Sequence, residues 1–356
     1  MSRYFLACAG AALALACCGA SAQEPLPRQD TVRFFTFEND LFFHTDRYYT
    51  NGLQFSLKHA TDERGSHARA YTGWLCGWLD CEDARLLASQ SNVGQLMYTP
   101  NDISVRAPQP WDRPWAGLLY YEQSWSLLAP DQRRLTTLST EFGVTGRASL
   151  AEQSQKLVHR ILDRPLPQGW DNQIGGTLVV IATAEQRTAR EALSTRLWGD
   201  VQLNTATFWR IGLGNLQSYA AGGLAVVIGK DLPLVSPPPP GIGNKLTGSG
   251  SALPVSTACF KVWIQCTAFG AAEARLMAYS VFLDGRPWGD DPEVDRRVLV
   301  TDITMGMRFD FPRTRSTSHG PWFAQFKVTR RSPEFRSPLI SVPYHNVGAL
   351  TIGTEF

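Results

Sequence analysis

Beyond residue 22 the chain has no apolar run of 18 or more residues, which excludes a membrane-crossing helix from that part. Charge surplus is equally scarce. Lys and Arg number 34 against 32 Asp and Glu, a net of +2, so the concentrated basic excess of a nucleic-acid binder is missing and no partner follows from charge. There is no G-x-S-x-G elbow, H-E-x-x-H helix, P-loop or dinucleotide fingerprint, and no C-x-x-C pair of the kind that holds zinc. Gly212-Leu213-Gly214-Asn215 has glycine spacing but no helix after it, and reads as a tight turn between strands.

Cysteine is sparse, with seven in 356 residues. Three of them (Cys8, Cys17, Cys18) fall in a targeting segment: Arg3 is followed by the apolar FLACAGAALALACCGA, and Ala20-Ser21-Ala22 gives the small-x-small cleavage pattern before Gln23. Residues 1–22 are therefore expected to be a cleaved signal peptide, with 23–356 forming one domain. Cys76, Cys81, Cys259 and Cys266 stay with an exported protein, where disulfides are permitted. Cys76 and Cys81 flank an expected turn suited to a local bridge. Cys259 and Cys266 would face opposite sides of a straight strand.

What the chain does have is alternation. Segments of about ten residues carry an apolar or aromatic side chain at every second position, as strands do when one face meets water and the other meets core or lipid. Leu135 to Val144 and Val298 to Phe311 are examples. About twelve strands are expected, centred near Phe35, Phe55, Leu96, Leu119, Leu138, Val180, Leu203, Val226, Val262, Ile303, Phe326 and Leu350. An even count suits a closed barrel with both termini at one end. Aromatic residues near strand ends, among them Trp111, Trp115, Tyr120, Tyr121, Trp125, Trp288 and Trp322, suit a lipid–water boundary. The last residues, ALTIGTEF, alternate and end on Phe356, as terminal strands of bacterial outer-membrane barrels do. The fold expected is all-β, a closed antiparallel transmembrane β-barrel.

One segment departs from the β pattern. In Ser149 to Leu162, apolar residues at Leu150, Leu157, Val158, Ile161 and Leu162 form a helical stripe, with Ser149 and Glu152 spaced as a capping box and Pro165 beyond the end. A short helix packed over the barrel mouth in an extracellular loop is expected. It carries His159, a candidate general base, with Gln155 one turn before it. The other candidate half is the hairpin Phe34 to Ser56. Asp40 offers a hard oxygen ligand, and Asn39 and Thr50 offer neutral oxygens, the donor class calcium prefers, although the EF-hand spacing is missing.

These two stretches, FENDLFFHTDRYYTNGLQFS and QKLVHRIL…GWDNQI, resemble the outer-membrane lipid A 3′-O-deacylases. The resemblance implies a twelve-stranded barrel in the bacterial outer membrane, expected to be monomeric, inserted by the barrel assembly machinery and acting on lipid A or lipopolysaccharide. It also implies a calcium-dependent ester hydrolysis in which Asn39, Asp40 and Thr50 shape the metal site, His159 activates water and Gln155 stands beside it. Arg106 is the nearest match to a basic residue that would meet a lipid phosphate. Six residues after the histidine the family pattern has a glutamate where this chain has Pro165, which leaves Asp163 or Glu152 to supply a carboxylate partner. The same residues would also serve a phospholipase-type acyl hydrolase, and a non-enzymatic channel or structural barrel is the remaining alternative.

Overall fold

The computed structural model describes residues 31–60, 73–236, 265–311 and 321–355. Twelve long strands carry the fold: β1 (Val32–Asn39), β2 (Tyr48–Ala60), β3 (Arg85–Thr99), β4 (Ala116–Leu128), β5 (Arg134–Thr145), β6 (Leu178–Ala189), β7 (Val201–Gly214), β8 (Gln217–Gly229), β9 (Gln265–Ser280), β10 (Leu299–Phe311), β11 (Trp322–Arg331) and β12 (His345–Glu355). Neighbours in sequence pair antiparallel, β12 pairs with β1, and β6 pairs with β7 from Ile181↔Gly214 to Ala189↔Ala206, so the twelve form an unbroken ring. The short strand Thr195–Trp198 extends only the start of β7. Eleven of the expected strand centres fall inside these strands. The twelfth, Val262, lies outside the described residues, as do the signal segment 1–22, Cys259 and Phe356.

The faces of this ring are inverted relative to a soluble protein. Phe55 is 66% exposed, while Gln54 beside it is 2% exposed. On β10, Leu299, Ile303, Met305 and Met307 point outward and Asp302, Thr304, Arg308 and Asp310 point inward. An apolar outer band around a polar interior is what a strand barrel presents to lipid. Among the described residues no helix is long and apolar enough to cross a membrane.

The lumen is filled by charge. Glu185 meets Arg187 at 2.7 Å and Arg210 at 2.6 Å, and Arg210 reaches Glu273 at 3.4 Å. The chain continues from Glu273 to Arg275 (3.2 Å), Asp302 (2.7 Å), Arg331 (3.0 Å), Glu334 (3.1 Å) and finally Arg113 (2.5 Å) at the rim. Buried charges need such mutual pairing, because an unpaired one would carry its full desolvation penalty. Cys76 and Cys81 are disulfide-bonded, as their spacing suggests. Cys266 is also disulfide-bonded.

Candidate functional site

The site lies at the end of the barrel opposite the termini, on the outer face of β1, β2 and β3. Alternation sets this face. Phe35, Phe37 and Asn39 are on one side of β1, and Glu38 on the other is buried between Lys327 Nζ (2.9 Å) and the Tyr49 hydroxyl (2.9 Å). Asn39 pairs with Asn51 across β2. Between Tyr49 and Asn51 the β2–β3 register slips by one, so Thr50 is an extra residue, a β-bulge. Bulges re-aim side chains at barrel rims. Here the Thr50 hydroxyl bonds the Thr99 hydroxyl at 2.8 Å.

The connection from β1 to β2 folds back over this bulge. Asn39 Oδ1 accepts the Leu41 N–H at 2.7 Å, and Asp40 Oδ2 accepts the Arg47 N–H at 2.9 Å. His44 and Tyr48 both take left-handed φ, 59° and 61°, a conformation non-glycine residues adopt rarely and mostly at constrained sites. Asp40 is wholly buried and its Oδ1 has no hydrogen-bond partner. Burial pushes its carboxyl up to about 8, against the pull of the Arg47 N–H and the Thr45 hydroxyl.

α1 (Ala151–Ile161) closes the site from outside. It begins two residues later than the sequence pattern suggests, and the expected capping box does not form. Ser149 Oγ donates to the Gly146 carbonyl at 2.6 Å, and Glu152 pairs with Lys156 at 2.5 Å. The stripe is also reversed. Leu150, Leu157, Ile161 and Leu162 are exposed, and Ala151, Gln155 and His159 are the buried face. The helix therefore packs beside the barrel, on outward Gly117 and Met97, rather than over its mouth. Since that wall faces lipid, an outward apolar stripe continues the apolar surface.

His159 is held from two sides. Nδ1 lies 2.6 Å from the Pro165 carbonyl, and a carbonyl only accepts, so Nδ1 carries the proton there. Nε2 faces Asp46 Oδ2 at 3.3 Å. Asp46 Oδ1 in turn accepts from Gln155 Nε2 at 3.5 Å, and Gln155 Oε1 accepts the Trp170 indole N–H at 2.7 Å. Burial raises the Asp46 carboxyl despite the opposing pull of His159 and Arg164. The arrangement is a base with one nitrogen anchored and the other turned toward a carboxylate, next to a second carboxylate that lacks a counter-charge.

Of the residues singled out from sequence, Gln155 and His159 meet the β1–β2 loop through Asp46, and Asn39, Asp40 and Thr50 cluster where that loop leaves and rejoins the wall. Arg106 does not join them. Its side chain is 81% exposed and lies 4.0 Å from Asp171, which Arg147 also approaches at 3.6 Å. Neither Asp163 nor Glu152 is the acidic partner of the histidine; that place is taken by Asp46, from the opposite half of the site. Sequence reasoning passed over Asp46, Trp170 and Thr99 as site members, although Asp46 and Trp170 lie within the two motif stretches.

A family model described as outer membrane protein LpxR matches residues 5–356. Among solved structures, LpxR from Salmonella typhimurium superposes with a TM-score of 0.67 at 19% identity, covering 91% of this chain and 100% of that one. The β domain of the Bordetella autotransporter BrkA is similar at a TM-score of 0.41 and 9% identity, covering 92% of this chain and 100% of that one. No curated protein sequence matches.

Proposed function

The chain belongs to the LpxR family of outer membrane proteins, and on that premise we propose that it is a calcium-dependent ester hydrolase removing 3′-linked acyl chains from lipid A. The observation that carries this reading is the meeting of His159, on the buried face of an amphipathic helix whose apolar side faces out, with Asp46 of the β1–β2 loop on the outer, lipid-facing side of the wall, where Asp40 begins the same loop. With the termini in the periplasm, that rim stands at the level of the outer leaflet. A site reached sideways from lipid suits a substrate that never leaves the membrane.

The chain's own residues then divide the work. The Pro165 carbonyl fixes the imidazole with Nε2 free to take a proton from water, and Asp46 accepts the hydrogen bond of the N–H so formed. Gln155, anchored by Trp170, keeps Asp46 in place. Asp40 fits a cation: a buried carboxylate oxygen without a partner, on a group that burial drives toward protonation, is what a positive charge would satisfy. No three His, Cys, Asp or Glu side chains converge among the described residues, so Asn39 and Thr50 would add the neutral oxygens calcium accepts. The chemistry such an ion supplies when bound is polarisation of the ester carbonyl and stabilisation of its developing negative charge.

Export follows the same reading, with residues 1–22 removed and the barrel inserted as a monomer by the assembly machinery; amino-terminal sequencing of the mature protein should begin at Gln23. The channel alternative is opposed by the filled lumen. The refolded protein, given a mixture of lipid A and glycerophospholipid with calcium, tests the activity. Release of fatty acid from lipid A supports the reading. Lysophospholipid alone would assign a phospholipase instead.

A further inference from the structure

Three connections meet at the end of the barrel that carries the site: 100–115 between β3 and β4, 281–298 between β9 and β10, and 332–344 between β11 and β12. Between them lies a pocket of about 510 Å³, lined chiefly by Trp111, Asp284, Glu293, Asp295, Arg296 and Arg336. That volume is within the ~300–1,000 Å³ typical of small-molecule sites. Neither His159, Asp46 nor Asp40 lines it.

Most of this lining is fixed in place. Asp295–Arg296 pairs with Phe335–Arg336 as a short ribbon, and Arg336 meets Asp295 at 3.1 Å. Arg296 Nε lies 2.9 Å from Asp284 Oδ2, while its two terminal nitrogens donate to the Met277 and Ala278 carbonyls. Two groups are left over. The exposed Trp111 indole makes no hydrogen bond or ring contact among the described residues, and the exposed Glu293 carboxylate makes no hydrogen bond or ion pair among them.

The pocket adjoins the site through the end of the β1–β2 loop. Tyr48 packs on Phe335 with ring centroids 5.6 Å apart and shares a buried cluster with Leu283 and Val294. Each of these three is the chain neighbour of a pocket residue: Phe335 of Arg336, Leu283 of Asp284, and Val294 of Glu293 and Asp295. From the other side Arg47 donates to Asn101 at 2.6 Å, and the Asn101 N–H donates at 2.8 Å to Asp112, the residue after Trp111. Arg47 and Tyr48, which follow Asp46 directly, therefore join the site to the pocket.

Charge selects the class of ligand. Three carboxylates against two guanidinium groups leave one negative charge in excess, which disfavours phosphate and other anions. No metal-binding cluster of His, Cys, Asp or Glu occurs among the described residues. Hydrogen-bonding side chains of both kinds beside an aromatic ring suit a neutral ring with hydroxyls on its edge and C–H groups on its faces. We propose that this pocket binds sugar rings that continue the head group of the lipid hydrolysed at His159. The inference rests on the ester-hydrolase reading and extends its substrate from acylated head group to glycan. A glycan on a head group held at the wall runs away from the bilayer, toward these connections.

The test titrates the refolded full chain in detergent micelles with core oligosaccharide, freed from lipopolysaccharide by mild acid and dephosphorylated, and separately with maltoheptaose. The core oligosaccharide should bind, with Kd raised about tenfold or more in Trp111→Ala and about threefold or more in Glu293→Gln. Trp288→Ala, which removes an exposed tryptophan of the β9–β10 connection that does not line the pocket, should keep the wild-type Kd. No binding, or an unchanged Kd in Trp111→Ala, overturns the proposal. Maltoheptaose bound as tightly as the core oligosaccharide overturns the tie to the glycolipid. Turnover gives a second readout: Trp111→Ala should raise KM for lipopolysaccharide about fivefold or more and leave kcat and KM for glycan-free lipid A unchanged. An equal rise on both substrates means a structural role alone and also overturns it. Oligosaccharide binding that Trp111→Ala abolishes, in a wild-type protein that hydrolyses neither substrate, would instead sink the hydrolase reading alone.

Discussion

Asp46 and His159 meet across the gap between barrel wall and helix, Oδ2 to Nε2 at 3.3 Å, although 113 positions separate them along the chain. The carboxylate comes from the β1–β2 loop and the imidazole from α1, so the contact exists only when the helix is seated on the wall. Asp46→Asn removes the charge that stabilises the imidazolium but keeps the shape. Its kcat should fall roughly tenfold to a hundredfold with KM little changed, less than the ~10²–10⁴ expected for loss of the base itself in His159→Ala. A variant whose KM rises while kcat holds would assign Asp46 to binding instead.

Seating of the helix has its own test at Gly117. A Cβ there would collide with Ser149 Oγ and Ala151 Cβ. Gly117→Val should push α1 off the wall and lower activity by at least tenfold. The twelve-strand ring should stay closed, because the substituted position faces outward. Heat-modifiable migration on a gel reports the closed barrel, and loss of both properties together would contradict the assignment.

The strands were legible because their period is local. Phe35 and Phe37 alternate with Thr36 and Glu38, and no long-range knowledge is needed to see it. Which face meets solvent is a different matter. The stripe of Leu157, Ile161 and Leu162 was visible, yet its direction depends on whether water or lipid surrounds the wall, and in lipid it turns outward. The partner of His159 was hidden for two reasons. Pro165 contributes a main-chain carbonyl, which no side-chain motif records, and Asp46 arrives through a loop folded back over a bulge. Asn39, Asp40 and Thr50 could be picked out by donor chemistry. The wall that unites them with the helix follows only from strand pairing.

Cation binding should be coupled to protons at Asp40. Without a cation the folded chain holds that proton more tightly than the unfolded one, so this group's contribution to stability is complete below about pH 3.8 and declines as pH rises through about 8. A bound cation needs the ionised form, so its apparent affinity should rise with pH up to about 8. Calcium should therefore raise the unfolding temperature of wild-type protein more at pH 8 than at pH 6. Asp40→Asn should show little shift at either pH, and an equal shift in that variant would place the cation elsewhere.

Acid should act on a different group. Burial alone would raise the Glu334 carboxyl, but Arg113 and Arg331 overcome it and hold it at about 2 against an ordinary 4.5. The stabilisation it gives is complete above pH 4.5 and is lost as pH falls toward 2. The loss is on the order of 3 kcal/mol. Glu334→Gln should be less stable than wild type at pH 7 and show a flatter decline between pH 4.5 and 2. Parallel pH profiles for the two proteins would contradict that origin.

The most direct measurement of the central claim is the mass spectrum of lipid A from Gram-negative cells with and without the protein, repeated for His159→Ala. The account predicts lipid A lighter by its 3′-linked acyl chains when the wild-type barrel is inserted, and the parent mass when His159 is replaced. An unchanged spectrum with correctly inserted wild-type protein would contradict it.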